Sequence, residues 1–445
     1  MLFRQFVDDD LGCASYLVGD EVAGVAAVVD PALSIEQYLE EADRHGARIV
    51  RTLETHTHAD HVSGHGRLAL EHGTPVSIHG EAAPEYPFEA LSDGDELQLG
   101  EVSVQTLHTP GHRPEHCCFA VTDRSRADEP WLVLTGDSLF VGDTARPDLA
   151  AEAREGAGVL FRSLARLLEL PDGVELYPGH VAGSLCGVGM SSKASSTIGF
   201  ERRFNHMLRF SALEEFVAES IAGAGVRPPN VERMVALNRG PFLPAAAELA
   251  PALADGAIVL DVRRAETFAA GHVRGSLNIP LDGNAFGTKA GFVLSPEETI
   301  AILADSPEDA REAAHRLHAV GFFDLAGYLA EAELSERTKP VELDELERLL
   351  ADDAIVLLDV RDADERDAGY IPGSRHVPYR VLRTLAEGID GDRPVVTICS
   401  TGPRAAIAAS ILESQGVDAR PVLHGGVDGW RSRGNETVEF RRCGS

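Results

Sequence analysis

The sequence predicts an α/β chain built from more than one domain. Short β-runs alternate with helical segments over the first 240 residues. Several of those runs end in loops that open on His or Asp, the layout of a site along one sheet edge. A segment near residue 257 returns 98 residues later: "AIVLDVRRAETFAAGHVRGSLNIP" (257–280) matches "IVLLDVRDADERDAGYIPGSRHVP" (355–378). A period near 100 residues means two homologous small domains, not a solenoid.

Taken in order, "SYLVGDE" and "GVAAVVD" read as a hairpin. "SIEQYLEEADRHG" (34–46) reads as a helix capped by Ser34 and ended by Gly46. "ARIVRTLE" is a strand, followed by a His-rich stretch and a helix near 63–72. "PVSIH", "EVSVQTLHTP", "CCFAVTD" and "WLVLTGD" are further strands, and the second half of 152–169 carries apolar residues at helical spacing. Residues 223–256, rich in Ala, Gly and Pro, read as a linking region. In the repeat, Asp261 pairs with Asp359, Arg263 with Arg361, Gly275 with Gly373 and Pro280 with Pro378. Each copy offers a strand, a helix, a further strand and a long helix, so each predicts a small α/β sheet.

At 445 residues the chain has room for two to four domains, each with its own core. The net charge of −31 argues against nucleic acid and anionic membrane as partners. Lys is confined to Lys193, Lys289 and Lys339, a bias that reflects genome composition or a salty habitat more than chemistry. The start has acids where a signal peptide needs a basic region, and no apolar run approaches the ~18 residues of a membrane span. A cytoplasmic location is expected. The six cysteines are irregularly spaced without a CxxC pair, which predicts reduced thiols, with Cys117 and Cys118 as core residues.

"THTHADHVSG" (55–64) places His56, His58, Asp60 and His61 within six residues. His112 in "HTPGHRPEH", Asp137 in "LTGDSLF" and His180 in "LYPGH" follow later β-runs. Seven metal-type ligands at strand ends are difficult to explain as packing, and they predict a metal centre. The HxHxDH pattern with the later His, Asp and His resembles the metallo-β-lactamase superfamily over roughly residues 1–220. That resemblance implies an N-terminal αββα sandwich. It also allows two metal sites: His56, His58, His112 and Asp137 in one, and Asp60, His61, His180 with a bridging Asp137 in the other.

"TPGHRPEHCCF" and "TGDSLFVGDTARPDL" are more narrowly similar to the persulfide dioxygenase branch. The resemblance implies one Fe(II) per chain held by His56, His112 and Asp137. Two His and one carboxylate leave positions open for substrate and O₂. His58, Asp60, His61 and His180 then become supporting groups that orient the ligands. The branch reads Gly-Arg-Pro-Asp where this chain has Ala145-Arg146-Pro147-Asp148. Arg146 is a candidate for binding a substrate carboxylate or, equally, one half of a structural ion pair. Cys186, in a small-residue segment after His180, is a candidate thiol relay.

In "VVTICSTGPRAAIAASILESQG", Cys399 follows an apolar strand and precedes a helix, with Arg404 at C-x4-R spacing. Amides of such a loop and the positive end of the helix favour a thiolate and a bound sulfur anion. A thiolate there can attack sulfane sulfur and hold it as a persulfide. This segment, "LDVRD" and the closing "LHGGVDGW" resemble the rhodanese family over about 340–435. The first copy has Ala304, beside Asp305, where Cys399 stands, so it is expected to be inactive and to serve structure or docking. The domains expected are 1–240 (dioxygenase), 245–335 (inactive rhodanese-like) and 340–445 (active rhodanese).

Across nearly the whole chain the order resembles bacterial persulfide dioxygenase–sulfurtransferase fusions. The chemistry implied is oxidation of a small thiol persulfide by O₂ to sulfite plus thiol. Cys399 would then pass sulfane sulfur to sulfite to give thiosulfate, in sulfide or persulfide detoxification. The partners implied are a thiol persulfide, O₂ and sulfite, with a homo-oligomer as the expected assembly. The rival is a glyoxalase II-like thioester hydrolase with two Zn, fused to a sulfurtransferase.

Overall fold

The computed structural model describes residues 1–148, 152–181, 190–222, 227, 229–252, 256–385, 388–389 and 392–440. The chain divides into two compact units, one formed by Met1–Ala246 with His318–Gly321, the other by Ala247–Leu317 with the stretch from Phe322 onward.

Among the described residues the first unit has two six-stranded sheets. One runs in the order β1 (Leu2–Val7), β2 (Ala14–Asp20), β3 (Val25–Val29), β4 (Arg48–Leu53), β5 (Val76–His79) and β6 (Glu89–Leu91). The other holds β7 (Glu96–Leu99), β8 (Val102–His108), β9 (Cys117–Asp123), β10 (Leu132–Gly136), β11 (Glu175–Pro178) and β12 (Ser196–Thr197). The period-two alternation of strand side chains builds the layers. Tyr16, Val18, Ala27 and Val29 point inward to meet Phe119, Val121, Leu132 and Leu134 between the sheets. Leu17, Ala26 and Val28 point outward onto α1 (Glu36–Arg44) and α2 (His65–His72) through Tyr38, Ala42 and Leu68. Cys118 and Val133 point outward onto α3 (Ala153–Leu167) through Leu160 and Leu164. The result is the αββα sandwich expected. Cys117 and Cys118 lie on opposite faces of β9, each fully buried.

Two local expectations are corrected. No side chain caps α1; the Ser34 hydroxyl donates to the Glu36 carboxylate instead. Gly46 follows the helix end in the left-handed region, as predicted. The supposed linking region contains α6 (Val231–Arg239), after α4 (Ile198–Phe204) and α5 (Leu213–Ala222). Its anchor is polar: the Asn238 amide donates to the carbonyls of His58 and His61 and accepts from the Ser63 N–H. An apolar-period reading has no way to register that anchor.

Among the described residues the second unit holds two four-stranded parallel sheets of the same order. The first contains β13 (Ile258–Asp261), β14 (Leu277–Asn278), β15 (Ile300–Leu303) and β16 (Leu325–Tyr328), with α7 (Ala265–Ala270), α8 (Phe286–Val293) and α9 (Pro307–Ala319). The second copy begins with α10 (Leu343–Ala351), β17 (Val356–Asp359), α11 (Ala363–Asp367) and β18 (Arg375–His376). It continues through α12 (Tyr379–Leu385), β19 (Val395–Ile398), α13 (Pro403–Ser414), β20 (Ala419–Pro421) and α14 (Gly426–Ser432). The matched pairs do matched work. Arg263 binds Asp261 and the Gly271 carbonyl, and Arg361 binds Asp359 and the Gly369 carbonyl.

The first copy buttresses the second. Arg383 on α12 reaches the Val293 carbonyl and Glu298, each at 2.7 Å, and the Ser410 hydroxyl on α13 accepts from the Asn278 N–H at 3.0 Å. Among the described residues no helix is long and apolar enough to cross a membrane. Cys13, Cys117, Cys118 and Cys399 are buried free thiols; Cys186 and Cys443 lie outside the described residues.

Candidate metal centre and sulfur-transfer loop

The loop after β4 is fixed before any ligand is considered. Asp30, at the end of β3, accepts from the Thr55 N–H at 2.7 Å and from its hydroxyl at 2.8 Å. With its proton given to Asp30, the Thr55 hydroxyl accepts from His56 Nδ1 at 2.9 Å. His56 therefore keeps its lone pair on Nε2. His112 is set the same way, its Nδ1 donating to the Arg146 carbonyl at 3.1 Å. The two Nε2 atoms face Asp137 Oδ2 at 3.9 and 3.6 Å, and all three side chains are buried. Three donors of this kind, each within 4.8 Å of the others, form a group able to hold a metal ion.

Asp137 sits just past β10. Gly136 before it has φ +46°, and a Cβ there would stand 2.8 Å from both His116 Nε2 and Thr55 Oγ1, so glycine lets the β4 and β10 loops meet. His116 accepts the Asp137 N–H at 3.0 Å. Burial and His112 push the His116 pKa down to about 3, so it serves as a neutral acceptor. Burial opposes the charge on Asp137, yet His180 and His112 beside it bring its pKa down to about 2.

The four remaining predicted groups fall into two clusters. His180 bridges the Asp137 and Asp60 carboxylates at 2.7 and 2.6 Å, and His61 Nδ1 lies 3.2 Å from Asp60. The Cys13 thiol joins them, donating to Asp60 at 3.2 Å and lying 3.4 Å from His180 Nε2. His58 turns its Nε2 to Glu54 at 3.0 Å and to Asp30 at 3.3 Å. Burial works against a charge on His58, but Asp30 and Glu54 raise its pKa well above the ordinary imidazole value. Its Nδ1 is buried and has no hydrogen-bond partner among the described residues. An imidazole anchored on carboxylates through one nitrogen, with the other left bare, is the arrangement of a metal-site histidine. The donor set and this orphaned atom both fit a metal ion.

Arg146 is buried and makes a two-point pair with Asp148, both contacts 2.7 Å, while its carbonyl holds His112. The structure thus brings it to a nearby acid, one of the two roles open from sequence. Cys186 lies outside the described residues. Sequence reasoning missed Cys13, Asp30, Glu54 and His116. Asp30 and Glu54 both stand at strand ends, the same signal that singled out His56; Asp30 has no neighbouring His to mark it, and Glu54, two residues before His56, was passed over for the His pattern beside it.

In the second unit, Cys399 ends β19 and opens the loop into α13. Its sulfur is buried and accepts the Gly402 N–H at 3.1 Å. Gly402 has φ +138°, and a Cβ there would meet the Leu423 carbonyl at 1.8 Å. Gly402→Ala is expected to cost at least about 1–3 kcal/mol and to collapse transfer at Cys399, as measured by urea unfolding and thiosulfate:cyanide assay. Arg404 does not stand open to an anion. It pairs with Glu365, at 2.7 Å through one nitrogen, and Glu365 also accepts from Ser400 at 2.9 Å. Burial opposes the Glu365 charge, but Arg404 lowers its pKa to about 2.

The first copy differs in more than the missing thiol. Past Ala304, Ser306 closes the start of α9 by accepting the Asp309 N–H at 3.1 Å and donating to its carboxylate at 2.7 Å. Glu308 occupies the second helical position, where α13 has Arg404.

Comparison with known proteins agrees with this division. The metallo-beta-lactamase superfamily model matches residues 8–180, and the rhodanese-like domain model matches 245–331 and 342–433. A probable metallo-hydrolase of Burkholderia pseudomallei is 32% identical over 255 residues, 49% of this chain and 84% of the relative. The mitochondrial persulfide dioxygenase ETHE1 of Bos taurus is 30% identical over 220 residues, 49% of this chain and 79% of the relative. A crystal structure of a metallo-beta-lactamase from Staphylococcus aureus matches with a TM-score of 0.70 at 31% identity, covering 74% of this chain and 98% of that one.

Proposed function

Because the chain belongs to the metallo-β-lactamase superfamily and carries two rhodanese-like domains behind that fold, we propose that it is a persulfide dioxygenase with a sulfurtransferase of its own. The overall reaction is R–SSH + O₂ + H₂O → R–SH + SO₃²⁻ + 2H⁺. The observation that carries the reading is the convergence of His56 Nε2, His112 Nε2 and Asp137 Oδ2, with His180 engaged by the Asp137 and Asp60 carboxylates. These three would hold one Fe(II). When bound, it would supply open coordination positions and a redox-active centre through which O₂ is reduced by the persulfide sulfur.

Thr55 and the Arg146 carbonyl fix the tautomers of the two imidazoles, and His116 fixes the backbone of Asp137. Asp60 and His180 lie beside the centre, where His180, held between the Asp60 and Asp137 carboxylates, orients Asp137. The Cys399 thiolate separately takes the outer sulfur of a second persulfide, releasing R–S⁻. Sulfite then attacks that sulfur, giving S₂O₃²⁻ and returning the thiolate. Linking the two activities raises the local sulfite concentration.

The relative called a persulfide dioxygenase supports this reading. A two-zinc hydrolase is the second reading, favoured by the bare Nδ1 of His58 and by the relative called a probable metallo-hydrolase. Elemental analysis of anaerobically purified protein, with an oxygen electrode and glutathione persulfide, separates the two. About one iron per chain with O₂ uptake is expected; two zinc ions with thioester cleavage instead would sink the dioxygenase.

A further inference from the structure

Away from that centre, the ends of β5 and β8 bring His79 and His108 face to face, ring centroids 4.0 Å apart and planes 12° from parallel. Glu81, in the single turn Gly80–Ala82 after His79, completes a group in which one donor atom from each residue lies within 4.8 Å of the others. Among the described residues no hydrogen bond, ion pair or ring contact joins these three to His56, His112 or Asp137.

The histidines are prepared as ligands. His108 Nε2 donates to the Pro114 carbonyl at 2.8 Å, so its lone pair is on Nδ1. One nitrogen bound to a backbone carbonyl and the other facing outward is the usual state of a metal-binding imidazole. Among the described residues the His79 Nδ1 acceptor bond is a long one, 3.4 Å, from the Glu81 N–H. Stacked rings so close disfavour a second positive charge; burial and His108 together lower the His79 pKa. Asp93 and Glu115 add negative potential nearby, each already engaged, Asp93 by the His108 N–H and Arg166, Glu115 by Arg113. Two nitrogens and a carboxylate oxygen suit zinc and its neighbours better than calcium or magnesium. Donors on one tetrahedral zinc stand roughly 3.3 Å apart. The rings must therefore swing out of their stack by an ångström or so, which half-buried side chains and the exposed Glu81 permit.

We propose that His79, Glu81 and His108 form a second metal site, for a divalent transition ion of the zinc class. It would clip the end of β5 to the loop that runs from His108 to His112. The ion would act on that loop from outside, stiffening the segment that presents one of the buried ligands.

The test is zinc titration of the full-length chain against a chromophoric chelator, comparing wild type with His79→Ala and Glu81→Gln. Wild type is expected to hold one zinc equivalent more than His79→Ala, whose remaining equivalents report that the fold is intact. Glu81→Gln, exposed and nearly isosteric, is expected to weaken that one equivalent about tenfold or more. Equal stoichiometry in wild type and His79→Ala overturns the site. Should His79→Ala fail to fold, unchanged affinity in Glu81→Gln overturns it alone.

Discussion

Asp137→Ala is expected to abolish persulfide-dependent O₂ uptake and to empty the N-terminal unit of iron, while thiosulfate:cyanide transfer by Cys399 continues at the wild-type rate. The loss should exceed about 100-fold, since altering only the partners that support a metal ligand costs about 10–100-fold. One oxygen of Asp137 faces both His56 and His112, and the other is bonded to His180. Its removal takes away the one anionic donor of the group and leaves Nδ1 of the buried His180 without its Asp137 acceptor, while Nε2 keeps Asp60, a further cost of about 1–3 kcal/mol in stability. Asp137→Asn separates the two effects. The amide keeps the size and a hydrogen-bonding oxygen, so stability should largely return, but the charge does not, and iron content and O₂ uptake should stay low. Iron analysis, an oxygen electrode and thermal unfolding read the three quantities. Full O₂ uptake in Asp137→Ala would show that the metal is held elsewhere.

What the sequence disclosed about this site follows from the range of the interactions concerned. His56 stood out because it lies among His58, Asp60 and His61, and His112 because it lies between His108 and His116, whereas grouping them with Asp137 as one triad came from the family resemblance. The strands themselves were legible because Tyr16, Val18, Ala27 and Val29 alternate with residues of the opposite face. The supports were not. Asp30 reaches Thr55 across 25 positions, and Asn238 reaches His58 across 180. Such hydrogen bonds leave no periodicity and involve residue types common on any surface. The Arg404 pairing is of the same kind: Glu365 lies 39 positions away, so the C-x4-R spacing pointed to an anion while the fold supplied an internal partner. The first rhodanese-like copy shows the reverse. Its missing thiol at Ala304 was plain, but the closing of the helix start by Ser306 and the Glu308 substitution acquire meaning only once α9 and α13 are laid on each other.

That contrast makes the second large effect specific. Cys399→Ser is expected to reduce sulfur transfer to background, by a factor on the order of 10³ or more, because a hydroxyl at this position neither ionises nor holds sulfane sulfur. The change removes one sulfur atom from a buried loop whose backbone is set by Gly402, so the fold should persist. Oxygen uptake with glutathione persulfide should remain within about twofold of wild type, because His56, His112 and Asp137 all belong to the first unit. The product should change instead. Sulfite is expected to accumulate where wild type yields thiosulfate, a shift read by derivatising both anions and separating them chromatographically. Thiosulfate formed at the wild-type rate would remove Cys399 from the reaction. Placing a thiol in the other copy should not restore it. In Ala304→Cys combined with Cys399→Ser, the new sulfur would enter a loop one residue shorter, beside Asp305 and under the acidic first turn of α9. There Glu308 repels the anion that a helix start would otherwise attract. The double variant is expected to stay at background, which would locate the loss of activity in the charge and closure of the loop as well as in its missing thiol.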